Sequence, residues 1–194
     1  MRQAAKCLMV GVIVLMGAHV ATCLAAETAV SAADDAKEIY RAFLTQWKGK
    51  HDALTNVANT VARPTTEDIA KYNECAGSAS RQNVHWTTST TDADIKNSLV
   101  SLSRINLVDP EHWQATDPST LIAKGQSVDT AVEAGMANGL MTLSAISFDE
   151  MHHTAMFSFS FICGSLCGHG GIVMFKKTPK GWVQSKQLCG SWMS

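Results

Sequence analysis

Between Thr154 and Cys163 the chain alternates: Ala155, Phe157, Phe159, Phe161 and Cys163 fall on one face, with Thr154, Ser158 and Ser160 on the other. Successive side chains of a strand point to opposite faces, so this stretch is expected to be a strand with one face in a core. Ile172–Lys177 reads as a second strand, rich in β-branched and aromatic residues. Pro179, Lys180 and Gly181 supply a turn into a third, Trp182 to Leu188, while upstream Leu143 to Asp149 reads as a fourth, turned at Glu150 to His153. The expectation is an antiparallel meander.

The connection between the first two strands carries Cys163, Cys167 and His169 among Gly164, Gly168, Gly170 and Gly171. It reads as a glycine-permitted loop with His169 at its tip. The two cysteines are four apart, which is not the two-residue spacing of a thioredoxin-like site. A local disulfide is the first reading. A metal site of Cys163, Cys167, His169 and a fourth ligand is the second, weakened by the missing Cys/His pair at finger spacing.

At the N-terminus, Arg2 and Lys6 precede an apolar run from Leu8 to Ala18, followed by small residues with Ala25 and Ala26 as cleavage candidates. The run is short for a bilayer span, and the pattern is that of a secretory signal peptide over residues 1–26. A lipid anchor on Cys23 is the alternative, disfavoured by Thr22 before it. Loss of residues 1–26 removes two basic residues and no acidic one, leaving a net charge of −3 over residues 27–194. A mildly acidic chain of this kind has no electrostatic footprint for nucleic acid, and no basic run for anionic lipid. It is long enough for one domain with a real core.

Cys75, Cys163, Cys167 and Cys189 remain, an even number that reads as two disulfides in an exported chain. Three connectivities are open. The close pair favours Cys163–Cys167, leaving Cys75–Cys189 to join the helical part to the last strand, worth about 4 kcal/mol in the chain-entropy picture.

Ala36, Ile39, Tyr40, Phe43, Leu44 and Trp47 recur at helical spacing after a start at Ser31 and Asp34, with Gly49 as the stop. Leu54 to Ala62, a run of Asn, Thr and Ala around Val57 and Val61, reads as an edge strand. Thr65 then opens a short helix ending at Cys75. Gly77 to Thr91 reads as a loop, Thr91 as the cap of a helix with Ile95, Leu99, Leu102 and Ile105 inward, and the segment between Asp109-Pro110 and Asp117-Pro118 as irregular. Ser127 caps a last helix whose Val128, Ala131, Val132, Gly135, Met136 and Gly139 share a face. The fold class is therefore α+β, N-terminal helices packed on a C-terminal antiparallel meander and stapled by disulfides.

The stretch SAISFDEMHHTAMFSFSFICGSLCGHG, followed by an apolar strand, a Lys-Gly-Trp turn and a final Cys-Gly-x-Trp, resembles a group of uncharacterised exported bacterial proteins. In that group a CGxLCGxG loop joins two strands near the C-terminus. The likeness extends to Ile39-Tyr40-x-x-Phe43 and to Asn56-Val57. It implies a bacterial envelope or secreted protein, and brings neither an activity nor a catalytic residue.

Chemistry is sparse. Ser165 and His169 share one loop, and Asp149 or Glu150 could reach it from the neighbouring hairpin, but no Gly-x-Ser-x-Gly elbow is present. With oxidised cysteines there is no thiolate for His169 to activate. His152 and His153 read as turn residues. His85, Trp86, His112 and Trp113 lie in polar segments, where a large side chain suits a contact surface, and His169 joins them as a contact residue. These features favour a cofactor-free binding module, an inhibitor or immunity-type partner of another envelope or secreted protein, over an envelope hydrolase using Ser165 or His169.

Overall fold

A computed structural model describes residues 19–48, 54–77 and 84–194. The proposed n-region and apolar run, along with His51 and Gly49, lie outside them. The alternating stretch is β6 (Thr154–Gly164), and the sheet grows outward from it. On one side β6 pairs antiparallel with β7 (Cys167–Thr178), which pairs antiparallel with the edge strand β8 (Gly181–Met193). On its other side β6 meets two short strands in succession, β5 (Ser147–Asp149) near its start and β4 (Leu140–Ser144) near its end. β2 (Trp86–Thr88) extends the β5 half, and β1 (Thr55–Ala62) then β3 (Ile105–Val108) extend the β4 half.

The meander holds for the last four strands. The sheet as a whole is mixed, because β1 runs parallel to both β4 and β3. That placement also corrects the reading of β1 as an edge. Its polar character misleads: buried Asn56 donates from Nδ2 to the Gly139 carbonyl at 3.2 Å and accepts at Oδ1 from Asn106 Nδ2 at 2.9 Å. A satisfied Asn is compatible with a strand interior.

The single strand expected over Leu143–Asp149 is divided because Ser144, Ala145 and Ile146 turn their polar groups elsewhere. Ala145 N donates to the Ala62 carbonyl at 2.8 Å and Ile146 N to Thr90 Oγ1 at 3.0 Å. Ser144 is a buried junction between the two faces of the sheet. Tyr40 Oη donates to its carbonyl at 2.8 Å, Tyr72 Oη lies 3.3 Å from its hydroxyl, and Ser158 N donates to that hydroxyl at 2.9 Å. Burial pushes both tyrosine hydroxyls above their ordinary pKa, Tyr40 the further.

One face of the sheet is covered by α1 (His19–Lys48) and α3 (Asp92–Leu99). Helical spacing carries Ala36, Ile39, Tyr40, Phe43 and Leu44 onto Phe157, Phe159 and Phe161, with Ile95 and Leu99 completing that core. α1 begins twelve residues ahead of Ser31 and passes through it; a Ser within a helix costs only a few tenths of a kcal/mol, too little to stop one. α2 (Thr66–Cys75) covers the other face, where Tyr72 and Cys75 pack with Met156, Ile172 and Met174. Its Thr65 cap is a full capping box with Asp68.

Directly after the irregular segment comes a helix that the sequence reading passes over. Asp117 caps α4 (Pro118–Ala123), accepting from Ser119 N at 3.0 Å, with Pro118 as first helical residue. α5 (Val128–Ala137) follows, capped by Ser127. Of its expected inward face, Ala131 and Gly135 are buried, while Val128 and Val132 stand at the surface. Gly139, two residues past the end of α5, sits under the Phe161 ring, where a Cβ would come within 3 Å of three ring atoms.

The structure contains the disulfides Cys75–Cys189 and Cys163–Cys167. The first ties α2 to the edge strand β8 across 114 residues of sequence. Two disulfides fit an oxidising compartment. Among the described residues no helix is long and apolar enough to cross a membrane.

Candidate functional site

β6 and β7 continue as a ladder almost to the turn, so the glycine stretch is strand rather than loop. Phe159 faces Gly171, Ser160 faces Gly170, Phe161 faces His169 and Ile162 faces Gly168, and only Ser165 and Leu166 cross over. The glycines serve close approach here. A Cβ on Gly168 would meet the Phe161 carbonyl oxygen at 2.9 Å, and one on Gly170 would meet the Phe159 carbonyl oxygen and the Trp192 indole, both at 2.5 Å. A bulge at Cys163 lets Gly164 pair with Cys167, and Gly164 takes φ 158°, near-extended.

His169 is therefore not at the tip. It lies on the α1 face, partly buried, its ring stacked on Trp47 at 5.0 Å between centroids and 16° between planes. Phe159 and Phe161 flank it at 6.1 and 5.8 Å. This is an aromatic cluster between α1 and the hairpin, not an exposed contact.

The true tip is polar on one side and apolar on the other. Ser165 Oγ donates to Asp117 Oδ2 at 2.7 Å, and Ser119 donates from N and Oγ to Asp117 Oδ1 at 3.0 and 2.9 Å. The Ser165 hydrogen bond, then those of Ser119, hold the Asp117 carboxyl below its ordinary range. Leu166 is 80 % exposed. Below it a cavity of about 320 Å³ is walled by the Cys163–Cys167 bridge, Pro118, Val132, Met136, His169 and the C-terminal Met193. Met193 is 87 % and Val132 41 % exposed. Ser194 closes the floor through a two-way backbone pair with Gly168.

This geometry bears on each sequence candidate. Ser165 is engaged by Asp117, and its partner is a carboxylate rather than a histidine. Asp149 lies at the other end of β6, about 30 Å away along the strand. There it accepts from the backbone N of His153 and Thr154, closing its own turn. A nucleophile, base and orienting acid are thus not assembled from Ser165, His169 and Asp149. The sulfurs of Cys163 and Cys167 are bonded to each other and offer no thiolate to a metal, which removes the Cys163/Cys167/His169 ligand set. Among the described residues no group of three His, Cys, Asp or Glu side chains could hold a metal ion.

Trp86 and Trp113 are half-buried covers of the core edge. Trp86 Nε1 donates to Asn73 Oδ1 at 3.0 Å with its ring edge-on to Tyr72, and Trp113 Nε1 donates to the Asn138 carbonyl at 3.0 Å. His85 is exposed, and His112 is exposed with Nδ1 2.7 Å from Asp109 Oδ2. Among the described residues no hydrogen bond or ring contact of these pairs runs to Ser165 or Leu166.

At the far end of β6 stands a cluster the sequence reading misses. Asp35 of α1, with 14 % of its side chain exposed, receives Lys177 Nζ and lies 2.7 Å from His152 Nε2, itself at φ 56°. The His152 ring stacks on Phe148 at 4.3 Å, and Lys177 Nζ stands 5.3 Å over the Trp182 ring. Burial pushes the Asp35 carboxyl up, but Lys177, Trp182 and His152 outweigh it and hold the pKa below its ordinary value. The Trp182 N–H favours that charge while making no closed hydrogen bond of its own. The nearest sequence signal is the Asp34-Asp35 pair in a helix, which gives no hint of partners 117 and 142 residues from Asp35.

No family model matches the chain, and no curated protein or solved structure matches it.

Proposed function

We infer that this chain is a non-enzymatic binding module exported to the bacterial envelope or beyond, and that its contact face is the rim of the disulfide hairpin. The supporting observation is the apolar opening at that tip: Leu166 and Met193, 80 % and 87 % exposed, stand around a cavity of about 320 Å³ whose wall is a disulfide. Large apolar side chains presented together at a concave surface are what a protein partner desolvates. The Cys163–Cys167 bridge and the Ser165–Asp117 hydrogen bond hold Leu166 in place before any partner arrives, which reduces the ordering cost of binding. An inhibitor or immunity-type partner of another envelope or secreted protein fits this build. The two disulfides, the signal-peptide pattern at the N-terminus and the likeness to exported bacterial proteins support the compartment.

A photo-crosslinking residue placed at position 166, in cells that export the chain, tests the reading. One discrete protein adduct is expected, lost when Val132→Ser and Met193→Ser are added. A smear without a discrete adduct contradicts it, and so does a hydrolytic activity that Ser165→Ala abolishes with the fold intact.

A further inference from the structure

We propose that the hairpin rim receives a cationic protein segment that seats one large apolar side chain between Leu166, Val132 and Met193. The proposal rests on the binding reading above and adds the chemistry of what is bound. It begins with how charge is sorted along the molecule. Residues 117–139 hold Asp117, Asp129 and Glu133 against Lys124 alone, whereas residues 176–186 hold Lys176, Lys177, Lys180 and Lys186 and no acid, with Lys177 paired to Asp35 of α1. The β6–β7 register sets Lys176 at the start of the hairpin and Cys167 at its tip, and Asp117 is held at that tip by the hydrogen bond from Ser165. Ten residues of strand separate them by about 30 Å. That is several screening lengths, so an approaching partner feels each end separately.

The acids also stand beside the apolar rim. Successive residues of a helix are turned by about 100°, which sets Asp129 and Glu133 next to the cavity-lining Val132 and Met136, and across α5 from buried Ala131 and Gly135. Both are exposed, and among the described residues neither pairs with a cation. Asp117, on the cavity wall itself, is held as a carboxylate by three hydrogen bonds from Ser119 and Ser165. The rim therefore combines an apolar seat with a border of committed negative charge. A partner with the complementary surface is steered in by Lys or Arg and anchored by one apolar side chain. An acidic segment, a nucleic acid or an anionic lipid surface would be repelled at this end.

The test is selection from a random-peptide display library on the whole chain, with Leu166→Ser protein as counter-selection. Enriched peptides should carry an excess of Lys and Arg around one large apolar residue. A synthetic peptide of the enriched sequence should bind about 10-fold more weakly to Leu166→Ser. It should lose about 2–5-fold for each of Asp129→Asn and Glu133→Gln, and weaken as salt is raised. Thermal midpoints of all three variants verify that they fold. Enriched peptides without a positive bias, or an affinity indifferent to salt and to both charge variants, overturn the cationic partner and leave the binding face standing. Peptides indifferent to Leu166→Ser, or a library from which nothing is enriched, overturn both.

Discussion

Replacing Asp35 by Ala removes the carboxylate that joins α1 to the start of the hairpin, and its cost follows from the surroundings. Asp35 keeps 14 % of its side chain exposed, whereas Lys177 and His152 keep 36 % and 32 %. Hydrogen bonds to charged groups contribute about 1.5–3 kcal/mol each when removal strands a buried partner. Here both partners can turn to water, so the net loss is expected near the lower end, about 2 kcal/mol in total. For a chain of this size that is a fall of about 4–8 °C in thermal midpoint. The pH dependence has a definite sign. The Asp35 pKa is lowered in the folded state, so its contribution is complete above the ordinary value of 3.8 and is lost as pH falls through the folded-state pKa. Urea unfolding of wild type and Asp35→Ala, at neutral pH and in a series downward from about pH 4, should show the gap narrowing with acidity. Urea is preferred to guanidinium, whose salt would screen the pair. A double-mutant cycle with Lys177→Met should return a coupling on the order of 1 kcal/mol. A gap independent of pH, or a coupling of zero, refutes the account of this cluster.

The two disulfides should differ in what they do. Cys75→Ala with Cys189→Ala should cost about 4–5 kcal/mol by urea unfolding, because the bridge closes a loop of 114 residues. Cys163→Ala with Cys167→Ala should cost about 2 kcal/mol or less, yet weaken capture at the rim more than the first pair does. His169→Ala should lower the thermal midpoint, by about 1 kcal/mol in stability, because its ring stacks on Trp47; an unchanged midpoint would mean the stack contributes nothing.

What the sequence discloses, and what it withholds, follows from the range of the interactions. Period-two alternation locates β6, since each residue's face is decided by its neighbours two away. Helical spacing locates the buried stripe of α1, and capping residues locate the starts of α2, α3 and α5. Readings fail where a distant partner decides. Asn56 looks like an edge residue until Asn106 and the Gly139 carbonyl satisfy it. The glycines beside Cys167 look like a loop because Gly signals turns, while here they let β7 lie against β6 and Trp192. His169 looks like a tip residue for the same reason. At the rim, Leu166 and Cys167 are visible in the sequence, but α5 and Met193 are brought there by the fold. Asp117, read only as a residue before proline, gains its meaning from Ser165, 48 positions on.

The account's central claim is that the disulfide hairpin tip is a preformed binding face. Amide chemical-shift mapping of the oxidised chain, titrated with the display-selected peptide, tests it most directly. The account predicts changes concentrated at Asp117–Ser119, Val132–Met136, Cys163–His169 and Met193–Ser194, with the remaining amides still. Changes centred instead on the lysine end at 176–180, or along the outer edge of β8, would contradict it.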